Sequence, residues 1–125
     1  METRESAEDY LERILMLNKS MGQVRAVDIA NLMNFSKPSV SIALKKLRQN
    51  GYVNIDGGGY ITLTESGLEI AERVFERHRL ISQLLMALGV DEQTAKDDAC
   101  RVEHDLSVES FEAIKEYCRK NLQIQ

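Results

Sequence analysis

The chain is poor in the residues that interrupt helices. It has a single proline, Pro38, and seven glycines, of which Gly57, Gly58 and Gly59 are consecutive. Outside residues 50–59 only Gly22, Gly67 and Gly89 remain. That sparse punctuation suits a mostly helical protein. The two cysteines, Cys100 and Cys118, are too few for a disulfide framework, and a reducing cytoplasm is the expected compartment. No apolar run approaches the ~20 residues of a membrane span, so no membrane-crossing helix is expected, and no membrane partner is expected either. No signal peptide is visible, because the N-terminus is charged and amphipathic. Histidine is equally scarce: His78 and His104 are the only two in 125 residues. A chain of this length forms one domain, or two small ones sharing a helix, and buries a core without covalent staples.

Charge is unevenly spread. The total is -4, but residues 22–50 carry Arg25, Lys37, Lys45, Lys46 and Arg48 against the single acid Asp28. That segment is near +4, which leaves about -8 on the remainder. A basic segment in an acidic chain is the electrostatic footprint expected of a nucleic-acid contact.

The periodicity predicts six helices and a hairpin. Tyr10, Leu11, Ile14, Leu15 and Leu17 make an apolar stripe on a helix over residues 6–19, with Ser6 as N-cap. A short helix over Ala26 to Met33 is followed by the tight connection Asn34-Phe35-Ser36. Ser36 caps a further helix to about Asn50, Pro38 is tolerated in its first turn, and Gly51 ends it. The period then changes. Tyr52 to Ile55 and Tyr60 to Leu63 are short β-type runs joined by Asp56-Gly57-Gly58-Gly59, which reads as a flexible hairpin turn. Thr64 caps a long helix to about Leu88 whose apolar stripe includes Leu68, Ala71, Val74, Ile81 and Leu88. Asp91 caps a helix to about His104, and Ser107 caps a last one to about Leu122.

Two short helices with a tight turn, then a two-stranded hairpin, make a winged helix-turn-helix. The predicted fold class is therefore mostly α: an N-terminal winged helix-turn-helix over 1–63, then a helical domain over 64–125. The second short helix is expected to enter a DNA major groove by its N-terminal end, presenting Ser36, Lys37, Pro38, Ser39, Ser41 and Lys45. Arg25 and the wing glycine Gly58 complete the predicted contact set, since a glycine lets backbone approach a strand closely.

The most specific feature lies elsewhere. Cys100, Glu103 and His104 stand at i, i+3 and i+4, which on a helix places all three on one face. A thiolate, a carboxylate and an imidazole converging there can hold a divalent ion. His78 lies on the long helix, and Asp9 and Glu12 form an acidic i, i+3 pair on the first. Cys118 reads as a core residue of the last helix.

Asp9-Tyr10-Leu11-Glu12, Arg77-His78-Arg79-Leu80 and Asp98-Ala99-Cys100-Arg101-Val102-Glu103-His104 together resemble the diphtheria-toxin-repressor and manganese-transport-regulator family, over about residues 5–122. The resemblance implies a homodimer that binds palindromic operator DNA with a divalent metal as corepressor. It implies Asp9, Glu12, His78, Cys100, Glu103 and His104 as metal ligands. Asp9 and Glu12 match the manganese branch. Cys100 stands where that branch has Glu and agrees with the iron branch, so the implied site is a hybrid. Ser82 and Lys96 replace two ligands of the iron branch's ancillary site, and the chain stops before a third, SH3-like domain.

The carboxylates suit Mn(II) or Fe(II), and the Cys100 thiolate suits Fe(II), Co(II) or Zn(II); Mn(II) or Fe(II) is the expected cofactor. The expected function is repression in manganese or iron homeostasis, with no small-molecule substrate and no enzyme activity. A winged-helix regulator that does not sense metal, or a structural-metal interaction module, is the alternative reading. A hydrolase is disfavoured because no dedicated general base or glycine-rich substrate loop is evident. Val90, Ala95, Ala99 and Val102, with Phe111, Ile114 and Tyr117, are the expected dimer contacts.

Overall fold

The structure, a computed structural model, describes residues 3–124, with side chains from Ala7 onward. Its elements are α1 (Thr3–Met21), α2 (Ala26–Met33), α3 (Lys37–Gln49), β1 (Val53–Ile55), β2 (Ile61–Leu63), α4 (Glu65–Ala87), α5 (Glu92–Val102) and α6 (Val108–Tyr117). A π-helical turn, Cys118–Leu122, continues α6. The chain divides within α4 into two compact units, residues 1–72 and 73–125.

In the first unit, α1 begins before Ser6, so Ser6 stands inside the first turns and is not the cap that the sequence suggests. The predicted stripe is otherwise real: Tyr10, Leu11, Ile14 and Leu15 are buried. Asn34 closes α2 in the left-handed conformation at φ 58°, which lets the chain reverse at once into α3. Ser36 caps α3 by accepting the Ser39 N–H at 3.3 Å, and its own hydroxyl donates to Ser39 Oγ at 2.8 Å. Val40, Leu44 and Leu47 put one face of α3 into the core with Ile29, Val53 and Ile61.

The strands pair antiparallel, Val53 opposite Leu63 and Ile55 opposite Ile61. Val24 adds a single bridge to Ile61, whose N–H donates to the Val24 carbonyl at 2.7 Å. One residue has no periodicity, and sequence reasoning missed it. The glycine turn is also more ordered than expected. Asp56 Oδ1 accepts the N–H groups of Gly58 and Tyr60, each at 2.9 Å, and Gly59 takes φ +83°. An aspartate bonding to backbone ahead of it builds the turn from its own side chain, so the glycines supply shape and not looseness.

The start of α4 is locked to the end of the α3–β1 connection. Thr64 Oγ1 donates to the Gly51 carbonyl at 2.7 Å and accepts the Gly67 N–H at 3.1 Å. The Thr64 N–H donates to the Tyr52 carbonyl at 3.0 Å.

The second unit is built on Leu80, Phe111 and Cys118, with Leu84, Ile114, Leu122 and Ile124 packed around them. Cys118 is the expected core residue, with no solvent exposure. Two members of the predicted α4 stripe, Leu68 and Leu88, are exposed instead, while Leu80 is fully buried. Leu80 follows the buried Ala71 by nine positions, which is roughly half a turn out of phase. A helix that serves two cores buries different faces along its length, so no single stripe describes it.

Helix α5 stops at Val102, short of the expected His104; Glu103 is its C-cap and His104 lies in the following turn. Three expected dimer contacts are also corrected. Ala95, Ala99 and Phe111 are buried within one chain and have no surface to offer a partner, whereas Val102 and Tyr117 are exposed.

Candidate nucleic-acid face and metal centre

All the predicted contacts on α3, namely Ser36, Lys37, Pro38, Ser39, Ser41 and Lys45, are exposed. Lys46 and Arg48 extend the same charge, and no acid occurs between Lys37 and Gln49. A shallow groove of about 280 Å³ runs beside the helix toward the hairpin. Ser41, Lys45 and Arg48 line it, with Leu44, Ile55 and Ile61 among its apolar residues. Arg25 caps α2 from outside, its N–H donating to Asp28 Oδ2 at 2.9 Å, and its guanidinium lies 4.4 Å from the centre of the Tyr60 ring. The cation thus sits on an aromatic of the wing, a contact that spacing along the chain does not reveal. Gly58 is exposed in the hairpin turn. Ile42 is 70 % exposed on α3 and was absent from the predicted set.

In the second unit four of the six predicted ligands come together. His78 Nδ1 lies 3.1 Å from Glu103 Oε2 and 3.7 Å from Cys100 Sγ. His104 Nε2 lies 3.4 Å from Glu103 Oε1. One carboxylate therefore offers one oxygen to each imidazole. A donor atom from each of His78, Cys100 and Glu103 fits within a mutual distance of 4.8 Å. The Glu103 side chain has no solvent exposure, and its Oε1 accepts no hydrogen bond among the described residues. A buried carboxylate oxygen in that condition carries a desolvation cost that a cation relieves. Hydrogen bonding to Cys100, then to Glu103, raises the His78 pKa to about 10 against the opposing effect of burial. The pocket favours positive charge. Thiolate, carboxylate and imidazole are donors for a divalent transition ion, so the residues fit one.

Cys100 and Glu103 keep the predicted i, i+3 relation, since Glu103 is still right-handed helical and its N–H donates to the Ala99 carbonyl at 3.0 Å; only His104 falls outside the helix. Cys100 is on the last turn, Glu103 is the cap, and His104 is beyond it. Arg77 holds that junction in place. Its guanidinium, nearly buried, donates from Nη1 to the carbonyls of Glu103 at 3.0 Å and Leu106 at 2.7 Å, and it lies 5.1 Å from the centre of the Phe111 ring. Arg77 opens the Arg77-His78-Arg79-Leu80 string, but spacing does not distinguish it from a solvated arginine, so its role was missed. Asp9 and Glu12 stand on α1 of the first unit. Asp9 is half-buried, and Glu12, fully buried, has Oε1 at 3.2 Å from Arg13 Nη1.

Residues 2–59 match the N-terminal DNA-binding domain of the iron dependent repressors, and residues 64–121 match their metal-binding and dimerisation domain. An uncharacterised helix-turn-helix-type transcriptional regulator of Methanocaldococcus jannaschii is 40% identical over 118 residues, covering 93% of this chain and 94% of that protein. The transcriptional regulator MntR of Bacillus pumilus is 37% identical over 112 residues, covering 90% of this chain and 78% of its own. Among solved structures, the manganese regulator SloR superposes with a TM-score of 0.80 at 30% identity, covering 90% of this chain and 53% of that one. The chain therefore spans about half the length of that structure.

Proposed function

Because this chain belongs to the iron-dependent repressor family, the group of the diphtheria-toxin repressor and the manganese-transport regulators, we propose that it is a metal-dependent, DNA-binding transcriptional repressor of manganese or iron homeostasis. Residues 1–63 read DNA, and residues 64–125 bind metal and form the homodimer. The observation that carries the reading is the buried Glu103 carboxylate set between His78 and His104 with Cys100 beside it, in a chain that also presents an acid-free basic helix.

His78, Cys100, Glu103 and His104 would hold the ion. Asp9 and Glu12 are proposed as the remaining ligands, supported by the Asp-x-x-Glu pattern that the chain shares with the manganese branch. The bound ion supplies the positive charge that offsets carboxylates otherwise costly to bring together. Ligands drawn from α1, from α4 and from the end of α5 make metal occupancy and the DNA-reading unit parts of one equilibrium. In the dimer, two copies of α3 read the halves of a palindrome spaced by one helical turn of ~34–36 Å or a multiple of it. Ser39, Ser41, Lys37 and Lys45 contact phosphates and base edges, and the groove beside α3 suits a backbone strand. Among the described residues no helix is long and apolar enough to cross a membrane, and a cytoplasmic location follows from the DNA target.

Selection of sequences from a random DNA pool by the Mn(II)-loaded protein, repeated in chelator, tests this reading. A preferred palindrome that is retained only with metal supports it; equal retention in both buffers supports the rival winged-helix regulator that ignores metal. Ion counts by equilibrium dialysis for Asp9→Asn and Glu12→Gln measure the α1 contribution.

Two further outcomes are expected. Cys100→Glu converts the hybrid site to oxygen and nitrogen donors, so the concentration of Mn(II) needed for half-maximal operator binding should fall relative to that of Co(II) or Zn(II). An unchanged order of metals would mean that the thiol is not a ligand. Lys45→Ala removes one phosphate contact, so the slope of log affinity against log salt should become shallower by about 1, with weakening of roughly equal size on all sequences.

A further inference from the structure

We infer that Ile42 reads thymine, its side chain packing against the 5-methyl group of one base in each half of the operator; the inference rests on the repressor reading above. Ile42 follows Val40 and precedes Leu44, both buried, by two residues each way, which turns it roughly 200° from the core-facing side of α3. It is 70 % exposed, more than any other large apolar side chain described in the first unit. A β-branched residue lowers helix propensity, and in that position it adds no packing to the fold.

The surroundings decide what covers it. Its neighbours on the same surface are Pro38, Ser39, Lys45 and Lys46, all exposed, and α3 holds no acid. An apolar protein partner needs a contiguous patch, and one isoleucine set among cations and hydroxyls is not one. A polyanion that carries a single apolar point at hydrogen-bonding depth fits both features. In the major groove that point is the methyl group of thymine, the one apolar mark that distinguishes base pairs there. The serines and lysines around Ile42 can fix the helix on the backbone, while Ile42 itself supplies sequence information.

The test uses full-length, Mn(II)-loaded protein and the sequence that it selects from a random pool. Each thymine is replaced in turn by deoxyuridine, which lacks only the methyl group. One position in each half-site should lose about fourfold in affinity, the factor expected for one buried methyl group. Ile42→Ala should bind the thymine DNA more weakly and lose nothing further at that uracil, while Ile42→Val keeps most of the sensitivity. The exposed position leaves folding and metal binding unchanged, which dialysis and thermal unfolding check. Equal uracil losses for the wild type and Ile42→Ala, or no methyl-sensitive thymine, overturn the Ile42 inference and leave the repressor reading standing. No sequence-selective binding with metal present overturns both.

Discussion

Removing divalent metal should lower operator affinity by about 5–150-fold, the range of ordinary allosteric coupling, and restoring Mn(II) or Fe(II) should return it. The physical source is the acid held at the α5 terminus. Glu103 is out of water and faces His78 and His104 with oxygens 3.1 and 3.4 Å away. In metal-free protein the imidazolium form of His78 offsets part of that charge, as its raised pKa indicates. Asp9 and Glu12, the ligands proposed from α1, would add carboxylate charge that a divalent ion offsets. The coupling must also run in reverse: saturating operator should tighten metal binding by the same factor. Fluorescence anisotropy of labelled operator with and without chelator gives the first number, and dialysis with and without DNA gives the second. Two unequal factors would show that metal acts on something other than the DNA-binding equilibrium, such as dimer formation.

Gly67→Ala should destabilise the first unit by about 3 kcal/mol, at the upper end of what overpacking usually costs. A Cβ at Gly67 would stand 2.0 Å from the Tyr52 carbonyl oxygen and 3.0 Å from its carbon. The obstacle is backbone, so no rotamer change relieves it. That carbonyl already accepts the Thr64 N–H at 3.0 Å, and Thr64 Oγ1 in turn donates to Gly51 at 2.7 Å. Any retreat of the strand loosens the joint between the wing and α4. Helix propensity pulls the other way, because alanine is favoured over glycine by up to ~1 kcal/mol in a helix interior. The sign of the change is therefore diagnostic. Urea unfolding followed by circular dichroism measures it, and a midpoint at or above that of the wild type would show that the close approach is not maintained in solution.

Both predictions rest on features of unequal visibility in the sequence. The helix-turn-helix was legible because its signals are local and chemical: Ser36 ahead of Pro38, three apolar residues at helical spacing on α3, and β-branched runs on either side of the glycines. The proximity of Cys100 and Glu103 was legible because they stand one helical turn apart, whereas spacing alone does not bring His78 to them. What stayed hidden depends on through-space contact. Val24 pairs with Ile61 by a single bridge, and Arg25 finds the Tyr60 ring across the wing. The end of α5 was also misplaced, since no glycine or proline marks Val102 and the helix pattern runs on through His104. Ala95, Ala99 and Phe111 looked like interface because apolar residues on short helices carry the same pattern whether they face a neighbouring chain or their own core. Gly67 gave no warning at all. A lone glycine at a helix start reads as tolerated, and only the position of the Tyr52 carbonyl shows it to be required.

Arg77 fastens the turn after α5 by two carbonyls, Glu103 and Leu106. A ligand turn anchored this way has little slack. An ion held there as proposed, with a radius other than the preferred one, would have to move the end of α5 against a nearly buried guanidinium. Size would then join donor softness in selecting among divalent ions, with the limit set by a residue outside the proposed ligand set.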